Sequence, residues 1–396
     1  MTGLAERRIE ITLRNRVLFG AGEVARLPEV VSKAGGTRAF VVTDPGIDAA
    51  GILATVTVAL GPMPATVFSQ VEPNPSGATV EHGAGVLRSF GIDGTAIVAL
   101  GGGSAMDAAK AMALCAANDR TLWELEYDGA DLAPGRPIVA IPTTAGTGSE
   151  AHPFAVITHE EIGRKDYIGH PSLLPVTTIL DPLLTVGLPP GVTAATGVDA
   201  MTHSLESLLS RNGNPFAEAM AIAVIRTVAE WLPRAIADGS DLEARSQMLM
   251  AAHLAGVGQA SGTGVGLVHA LGHALGTRGR LAHGTALAVV LPEVLAYYAE
   301  ESGLRDRELA LVGVALKAAS TTEDPATAAG AAIGALRRFL TTVGQRHRLG
   351  AIGFDDAMLD VVAQDAIDDA AIRNSPRAPT FEEARAILAS VMGEVG

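Results

Sequence analysis

The stretch Thr95-Ala-Ile-Val-Ala-Leu-Gly-Gly-Gly-Ser-Ala-Met-Asp-Ala-Ala-Lys110 decides the fold of this chain. Its apolar first part predicts a buried strand, the three glycines a loop, and the Ala-rich remainder a helix. Ser104 and Asp107 stand three residues apart, a spacing that predicts a capping-box-like helix start. The free N–H groups of such a helix start attract a pyrophosphate, and the glycines let the backbone approach it closely. We therefore predict a phosphate loop, distinct from the Gly-x-Gly-x-x-Gly pattern, formed by Gly101, Gly102, Gly103 and Ser104.

Short β-rich runs alternate with helical patterns in the first half of the chain. The predicted strands are 39–43, 65–68, 95–100, 137–141 and 176–180, with helices between them at 22–34, 77–90 and 104–117. This alternation indicates an α/β domain with a mainly parallel sheet. After Asp181-Pro182 the β pattern fades, and helical periodicity predicts helices at 215–235, 241–258, 285–301, 305–319, 325–343, 355–366 and 380–394. We therefore predict an α/β domain over 1–184, an all-helical domain over 185–396 and a hinge at 183–190.

Polar residues follow two of the predicted strands at their C-terminal ends, where open α/β sheets bind ligands. The first group is the loop Pro142-Thr-Thr-Ala-Gly-Thr-Gly-Ser-Glu150. The second is Asp44, whose carboxylate can accept hydrogen bonds from an adenosine ribose and would repel the additional phosphate of NADP. Asp44 therefore favours NAD over NADP. His152 and Phe154 follow the loop, and their pattern fits pocket lining and ordinary packing equally well.

Asp199 and His203 lie four residues apart in a stretch of small and apolar residues. Residues at this spacing share a helix face, so both side chains can point at one atom, and a carboxylate in apolar surroundings needs a partner. His269 and His273 repeat the spacing, and a turn before His283 would bring a second helix start beside His269. One Asp and up to three His can close around one divalent ion, and such mixed ligation suits Fe(II), Mn(II) or Zn(II). On spacing alone, all five residues remain candidates.

The composition excludes several classes of function. The 396 residues include 29 basic and 43 acidic side chains, and the net charge of −14 argues against nucleic acid or an anionic membrane as a partner. The sequence has no apolar run of transmembrane length, and its first ten residues lack the apolar core of a signal peptide. The single cysteine, Cys115, excludes an intrachain disulfide framework and fits a reducing compartment. We expect a soluble, cytoplasmic protein whose partner is a small molecule.

Together these motifs resemble those of the iron-containing alcohol dehydrogenase family. The matching stretches run in family order through nearly the whole chain: Val42-Thr-Asp44, Pro73-Asn-Pro75, Gly101 to Ser104 with Asp107 and Lys110, Pro142 to Glu150, Asp181-Pro182, Gly197-Val-Asp199-Ala-Met-Thr-His203, and His269-Ala-Leu-Gly-His273 with His283-Gly284. The resemblance implies an N-terminal α/β dinucleotide-binding domain and an all-α C-terminal domain, the fold shared with dehydroquinate synthases. It also implies that the site lies in the cleft between the two.

The resemblance implies roles for individual residues. Asp199, His203, His269 and His283 match the four metal ligands of the family, and His273 matches a histidine beside the nicotinamide that is not a ligand. The implied metal is Fe(II), with Zn(II) as the alternative. Members of the family commonly form dimers or larger homo-oligomers. The implied cofactor contacts are Asp44, Asn74, Gly101, Gly102, Gly103, Ser104, Thr143, Thr144, Thr147 and Lys165.

The activity that the resemblance implies is the reversible, NAD(H)-dependent interconversion of an alcohol and an aldehyde or ketone, in which His273 helps to move a proton or shapes the pocket. Two alternatives stand beside it. An NAD- and metal-dependent lyase of the dehydroquinate synthase type needs a basic pocket, and few Lys or Arg residues lie near the predicted ligands. A non-catalytic nucleotide-binding protein would bind NAD without a metal. Net NADH formation from a simple alcohol, together with the metal content, distinguishes the three.

Overall fold

The computed structural model describes residues 15–125, 132–301 and 303–393. The first ten residues, on which the signal-peptide prediction rests, lie outside these ranges. The described residues form eight strands: β1 (Arg16–Phe19), β2 (Arg38–Val42), β3 (Ala65–Phe68), β4 (Thr95–Gly101), β5 (Ile138–Pro142), β6 (Phe154–His159), β7 (Arg164–Gly169) and β8 (Thr177–Leu180).

Six of these strands form one parallel sheet in the order β1-β8-β5-β4-β2-β3. The remaining two, β6 and β7, pair with each other as an antiparallel ribbon. The predicted parallel sheet is confirmed, and each of the five predicted strands is present with its ends shifted by no more than one residue. The three strands that the sequence pattern did not predict are β1, β6 and β7.

Helices cover both faces of the parallel sheet. They are α1 (Leu27–Lys33), α2 (Pro45–Ala49), α3 (Ile52–Leu60), α4 (Gly77–Phe90) and α5 (Gly103–Ala117). Along β2 the buried side chains alternate: Ala39 and Val41 belong to the core with α1 and α3, whereas Phe40 and Val42 belong to the core with α4 and α5. Burial on both faces explains why the strands are almost entirely apolar in sequence.

The strand order reverses between β2 and β4. These strands are neighbours, but the chain leaves β2 towards the sheet edge at β3 and leaves β4 in the opposite direction towards β5. In open α/β sheets, ligands bind beyond the C-terminal ends of the strands at such a reversal. Asp44 follows β2 and Gly102 follows β4, so both residues lie at this point.

The second half of the described chain is helical. Its α-helices are α6 (Pro190–Leu209), α7 (Pro215–Ala237), α8 (Leu242–Gly258), α9 (Leu267–Gly279), α10 (His283–Ala299), α11 (Asp306–Ala315), α12 (Pro325–Thr342), α13 (Asp356–Asp368) and α14 (Phe381–Ser390). Side-chain caps fix several of their starts: Asn214 and Asp241 accept backbone N–H groups in α7 and α8, and Thr380 forms a capping box with Glu383 in α14.

These helices pack around one continuous apolar core that includes residues from α6 to α14. The predicted fold class, an α/β part followed by an all-helical part, is therefore confirmed. The bounds 1–184 and 185–396 and the hinge at 183–190 stay predictions. Among the described helices, none combines the length and the apolar composition that a bilayer crossing requires.

Candidate metal and cofactor site

Asp199 lies at the centre of a group of histidines. Its Oδ1 atom is 3.4 Å from Nε2 of His203, 3.7 Å from Nε2 of His269 and 3.6 Å from Nε2 of His283. The nitrogens of His203 and His269 and this oxygen all lie within 4.8 Å of one another, the compact arrangement that one metal ion requires. His283 lies outside this tightest set, and its side chain is 27% exposed, so it faces the open side of the site.

Two atoms at this centre have unused hydrogen-bonding capacity. Oδ1 of Asp199 and Nε2 of His269 are buried, and neither has a hydrogen-bond partner among the described residues. A buried polar atom without a partner is costly, so these atoms need a ligand. Burial raises the pKa of the Asp199 carboxyl, but the three surrounding histidines lower it more, and the net value lies below the usual range. An ionised carboxylate with three imidazole nitrogens around it fits a divalent cation.

Helix geometry brings the four side chains together. Asp199 and His203 lie one turn apart on α6, as their spacing predicts. His269 belongs to α9, and His283 is the first residue of α10. A Cβ atom at Gly284 would overlap the carbonyl oxygen of Ala195, so only glycine lets the start of α10 approach α6 this closely. The predicted second helix start beside His269 is therefore present.

Glu206 orients His269 from behind. Its Oε2 atom lies 2.6 Å from Nδ1 of His269 and also accepts the backbone N–H of Gly266, and its Oε1 accepts the N–H of Val268. Burial raises the pKa of Glu206, but His269 and the backbone donors lower it more, so the carboxylate is ionised and Nδ1 is the donor. Burial lowers the pKa of His269, but Glu206 and Asp199 raise it more, to about 9, so a cation bound at the site would displace the proton on Nε2, the nitrogen that Glu206 leaves free. Carboxylate–histidine pairs of this kind are the usual second layer of a metal centre.

His203 is oriented by the backbone. Its Nδ1 lies 3.3 Å from the carbonyl oxygen of Gly146, in the loop that follows β5. Since a carbonyl oxygen can only accept, Nδ1 carries the proton and Nε2 presents its lone pair towards Asp199. The ring also stacks on His269, with centroids 4.6 Å apart. The α/β part of the chain thus contributes to the orientation of a predicted ligand on α6.

His273 lies beside the group and has a different partner. Its Nδ1 is 2.8 Å from Oδ2 of Asp369, and its ring is 5.5 Å from that of His283 and 6.4 Å from that of Tyr167. Burial lowers the pKa of His273, which keeps the ring neutral even though Asp369 opposes the shift. The position agrees with the expected role beside the ligands, and that role stays a prediction.

Glu206, Asp369 and Tyr167 are residues that sequence reasoning missed. Glu206 follows His203 by three residues and Asp199 by seven, so it continues the same face of α6, and the helical spacing could have identified it. Asp369 reaches His273 from the end of α13, and Tyr167 reaches it from β7. No spacing in the sequence indicates either of these two contacts.

The phosphate loop begins α5 one residue earlier than predicted. Gly102 is the N-cap, Gly103 is the first helical residue, and no side chain caps the helix. The predicted capping box is therefore wrong. Asp107 is drawn away from the helix start because its carboxylate accepts hydrogen bonds from Ser149 Oγ at 2.6 Å and from Val156 N at 3.1 Å. The uncapped N–H groups at this end of α5 remain available to an anion, as a phosphate loop requires.

The other predicted cofactor positions surround this loop. Cβ atoms built on Gly102 and Gly103 would lie 3.2 Å from Thr144 Cγ2 and 2.7 Å from Thr147 Cγ2, so the glycines allow the loop after β5 to pack against the helix start. Thr143 donates its N–H to the carbonyl of Gly101. Ser104 Oγ accepts the N–H of Asn74, which has a left-handed backbone with φ of 55°.

Asp44 caps α2 as well as facing the strand-order reversal. Its Oδ1 accepts the N–H groups of Gly46 and Ile47. Its Oδ2 lies 3.2 Å from the Cβ position of Gly101, which places the second oxygen over the end of β4. One carboxylate oxygen thus belongs to the fold, and the other is directed towards the predicted phosphate loop.

A cleft of about 920 Å³ joins the two groups of residues. Of the predicted cofactor contacts, Asn74, Gly103, Ser104, Thr147 and Lys165 line it, and so do all four predicted metal ligands and His273. The other predicted contacts do not line the cleft: Gly101 and Gly102 are the first half of the phosphate loop, and Asp44, Thr143 and Thr144 lie next to that loop. Burial lowers the pKa of Lys165, although three aspartates oppose the shift. The phosphate loop and the histidines therefore face one cavity.

Comparisons with known proteins give one family for both halves of the chain. The family model described as iron-containing alcohol dehydrogenase matches residues 14–182, and the model described as Fe-containing alcohol dehydrogenase family, C-terminal, matches residues 193–392. The probable alcohol dehydrogenase EutG of Escherichia coli is 36% identical over 92% of this chain and 90% of its own length. The NAD-dependent methanol dehydrogenase of Bacillus methanolicus is 32% identical over 95% and 97%. A crystal structure of 1,3-propanediol oxidoreductase has a TM-score of 0.92 at 33% identity, over 98% of this chain and 100% of that one.

Proposed function

The chain belongs to the iron-containing alcohol dehydrogenase family and interconverts alcohols and aldehydes, and on this basis we propose that it uses NAD(H) and holds iron through Asp199, His203, His269 and His283. The observation that carries the proposal is the group of three Nε2 atoms within 3.7 Å of one buried carboxylate oxygen. The unpartnered Oδ1 of Asp199 and Nε2 of His269 are the atoms that a cation would satisfy. Zinc fits the same set of donors and is the alternative.

Each cofactor would supply one part of the chemistry: the metal polarises the substrate oxygen as a Lewis acid, and the nicotinamide exchanges a hydride with the carbon. The protein's part is to orient the groups. Glu206 and the Gly146 carbonyl hold two imidazoles by Nδ1, so that both Nε2 atoms face Asp199. Asp369 holds Nδ1–H of His273, so the Nε2 of this residue is free to accept the proton that leaves an alcohol.

The residues that follow the C-terminal ends of β2 and β4 support the binding of NAD. The N-terminus of α5 offers N–H groups to a pyrophosphate, and Asp44 lies at the reversal point with one oxygen free of capping contacts. A carboxylate there would repel the additional phosphate of NADP, which favours NAD. The relative from Bacillus methanolicus is NAD-dependent by its name, which agrees with this choice.

The lyase alternative of the dehydroquinate synthase type is not favoured, because both family models and the relatives belong to alcohol dehydrogenases. A homodimer and a cytoplasmic location are also part of the proposal, and they are supported only by the family resemblance and the single cysteine. Size-exclusion chromatography with light scattering tests the first, and fractionation of cells tests the second.

The test of the metal centre is the variant His269→Ala. We expect loss of bound iron and loss of NADH formation from alcohols, while NAD binding measured by calorimetry persists, because the phosphate loop lies on other elements. The exposed His82 supplies a matched control, His82→Ala, which we expect to keep its iron. A His269→Ala protein that retains one iron per chain would refute the ligand assignment.

The test of cofactor choice is the ratio of kcat/KM values with NAD and NADP. Asp44→Asn removes the charge and keeps an oxygen to cap α2, so we expect the NAD preference to fall roughly tenfold, the equivalent of about 1.4 kcal/mol. An unchanged ratio would show that Asp44 does not determine the choice.

A further inference from the structure

His152 lines the cleft next to the predicted metal centre, and the chemistry above does not use it. Its Nδ1 accepts the backbone N–H of Phe154 at 3.3 Å. Because a backbone N–H can only donate, the neutral ring carries its proton on Nε2. Burial, with smaller effects of Lys110 and His203, lowers the pKa of His152 well below its usual value, so the ring is neutral. Among the described residues, no acceptor hydrogen-bonds to this Nε2–H.

A buried lysine holds the segment around His152 in place. Nζ of Lys110, on α5, donates to the carbonyl oxygen and hydroxyl of Ser149 at 2.5 and 2.7 Å, and to the carbonyl oxygen of Phe154 at 2.7 Å. Asp107, one turn earlier on α5, accepts the N–H of Val156. The backbone is therefore anchored on both sides of His152, and the imidazole is positioned before any ligand arrives.

Gln259 brings a second uncommitted polar group to the cleft. It begins the segment Gln259–Thr263, which continues α8 and leaves helical geometry at Gly262, where φ is 97°. Gln259 is 9% exposed and lines the cleft, and its amide Nε2 is buried without a hydrogen-bond partner in the described residues. A buried amide N–H without an acceptor is costly, so a ligand that accepts a hydrogen bond from it would be stabilised, as at the unpartnered atoms of the metal centre.

Close backbone packing brings together the two segments that carry His152 and Gln259. A Cβ atom at Gly148 would lie 2.7 Å from Gly256 Cα, and one at Gly256 would lie 3.0 Å from Ala151 Cβ. His152 follows Ala151 directly, and Gln259 follows Gly256 by three residues. The loop after β5 and the end of α8 thus meet beside the cleft, which His152 and Gln259 line together with His203.

We propose that His152 and Gln259 form a polar subsite that binds a second oxygen of the substrate, so that the enzyme prefers short diols and hydroxyaldehydes to simple alkanols. The inference rests on the proposed function, because the first oxygen is the one presented to the metal. An alkanol chain in this position would cover the imidazole N–H and the amide without satisfying them, which is costly. A site built to hydrogen-bond a hydroxyl discriminates strongly against an analogue without it.

The test compares three-carbon substrates that differ only in hydroxyl number: n-propanol, propylene glycol and glycerol. For the iron-loaded enzyme with NAD, we expect kcat/KM for propylene glycol to exceed that for n-propanol by about tenfold or more. His152→Phe keeps a planar ring without the donor, and Gln259→Met keeps the length without the amide. Each should lower the ratio of propylene glycol to n-propanol by about tenfold.

Two further variants separate recognition from structural damage. His152→Gln returns an N–H donor near the former Nε2 position, so it should recover part of the ratio. His82→Phe makes the same exchange at an exposed histidine outside the cleft and should leave the ratio unchanged. If His152→Phe and Gln259→Met lower both kcat/KM values equally, the subsite is refuted. If the wild type oxidises n-propanol and propylene glycol equally well, the subsite is refuted and the proposed function stands. If it forms NADH from none of the three, the subsite is refuted, and the proposed function is judged by the iron content of wild type and His269→Ala and by NAD binding.

Discussion

Replacement of Glu206 by Gln tests whether the carboxylate behind His269 tunes the metal site. The side chain accepts three close hydrogen bonds, from Nδ1 of His269 at 2.6 Å, Val268 N at 2.7 Å and Gly266 N at 2.9 Å. Glutamine is nearly isosteric but has one oxygen, and its NH₂ group must face at least one of these donors. The variant therefore changes the charge and the hydrogen-bond polarity while it leaves the volume almost unchanged.

The expected losses of stability and of metal affinity follow from the hydrogen bonds that Glu206→Gln removes. At least one buried donor is left without an acceptor, which costs about 1–3 kcal/mol of the free energy of unfolding. Loss of the acceptor for His269 Nδ1 also frees the ring to rotate and weakens Nε2 as a ligand. Removal of such a partner typically lowers metal affinity 10–100-fold, or about 1.4–2.8 kcal/mol. We therefore expect both a less stable apoprotein and a larger deficit once metal is added.

The assay is a chelator competition that yields the metal dissociation constant, combined with urea unfolding of the apoprotein and the metal-loaded protein. Glu300→Gln, at an exposed position in the same helical half, serves as the control and should match the wild type. If Glu206→Gln destabilises the apoprotein but binds iron as tightly as the wild type, Glu206 contributes only to folding, and its proposed effect on metal affinity through His269 is refuted.

Two other predictions concern the α/β part of the chain. Gly103→Ala would place a methyl group 2.7 Å from Thr147 Cγ2 in the phosphate loop, so we expect KM for NAD to rise about tenfold in steady-state assays; Gly85→Ala, whose Cβ meets nothing within 4 Å, should leave it unchanged. Burial lowers the pKa of Lys110 to about 8, against 10.5 as its ordinary value, so its titration contributes stability that is fully present above about pH 10.5 and is lost as the pH falls through 8. The free energy of unfolding of the wild type relative to Lys110→Met should thus rise between pH 8 and 10.5 by roughly 3 kcal/mol or less, and a pH-independent difference would contradict a buried amine with a lowered pKa.

The parts of the fold that the sequence predicted are those with a strong local signal. The central strands are buried on both faces, so their apolar runs are visible without knowledge of their neighbours. β1 is different, because four residues at a sheet edge become a strand only by pairing with β8, far along the chain. The ribbon of β6 and β7 carries polar residues such as Lys165 and Tyr167 towards the cleft, which interrupts the apolar pattern of a strand.

In the site, too, the features that the sequence predicted are local, and those it missed depend on contacts between distant parts of the chain. The spacing of Asp199 and His203 is a property of one helix, and it continues to Glu206. The contact between His273 and Asp369 depends on how α9 packs against α13, and no local pattern encodes it. The capping-box prediction for Ser104 and Asp107 failed because a tertiary interaction was stronger: Ser149 and Val156 occupy the Asp107 carboxylate.

Gly284 has a consequence for the stability of the helical half. Its missing side chain lets the start of α10 lie against α6, so the four predicted ligands come from α6 and, beyond the intervening helices α7 and α8, from the consecutive helices α9 and α10. An ion bound to all four ligands links α6 to α9 and α10 in the folded state. This cross-link is absent from the unfolded chain, so the ion stabilises the folded protein. Iron supply would then affect the lifetime of the protein against proteases as well as its turnover rate.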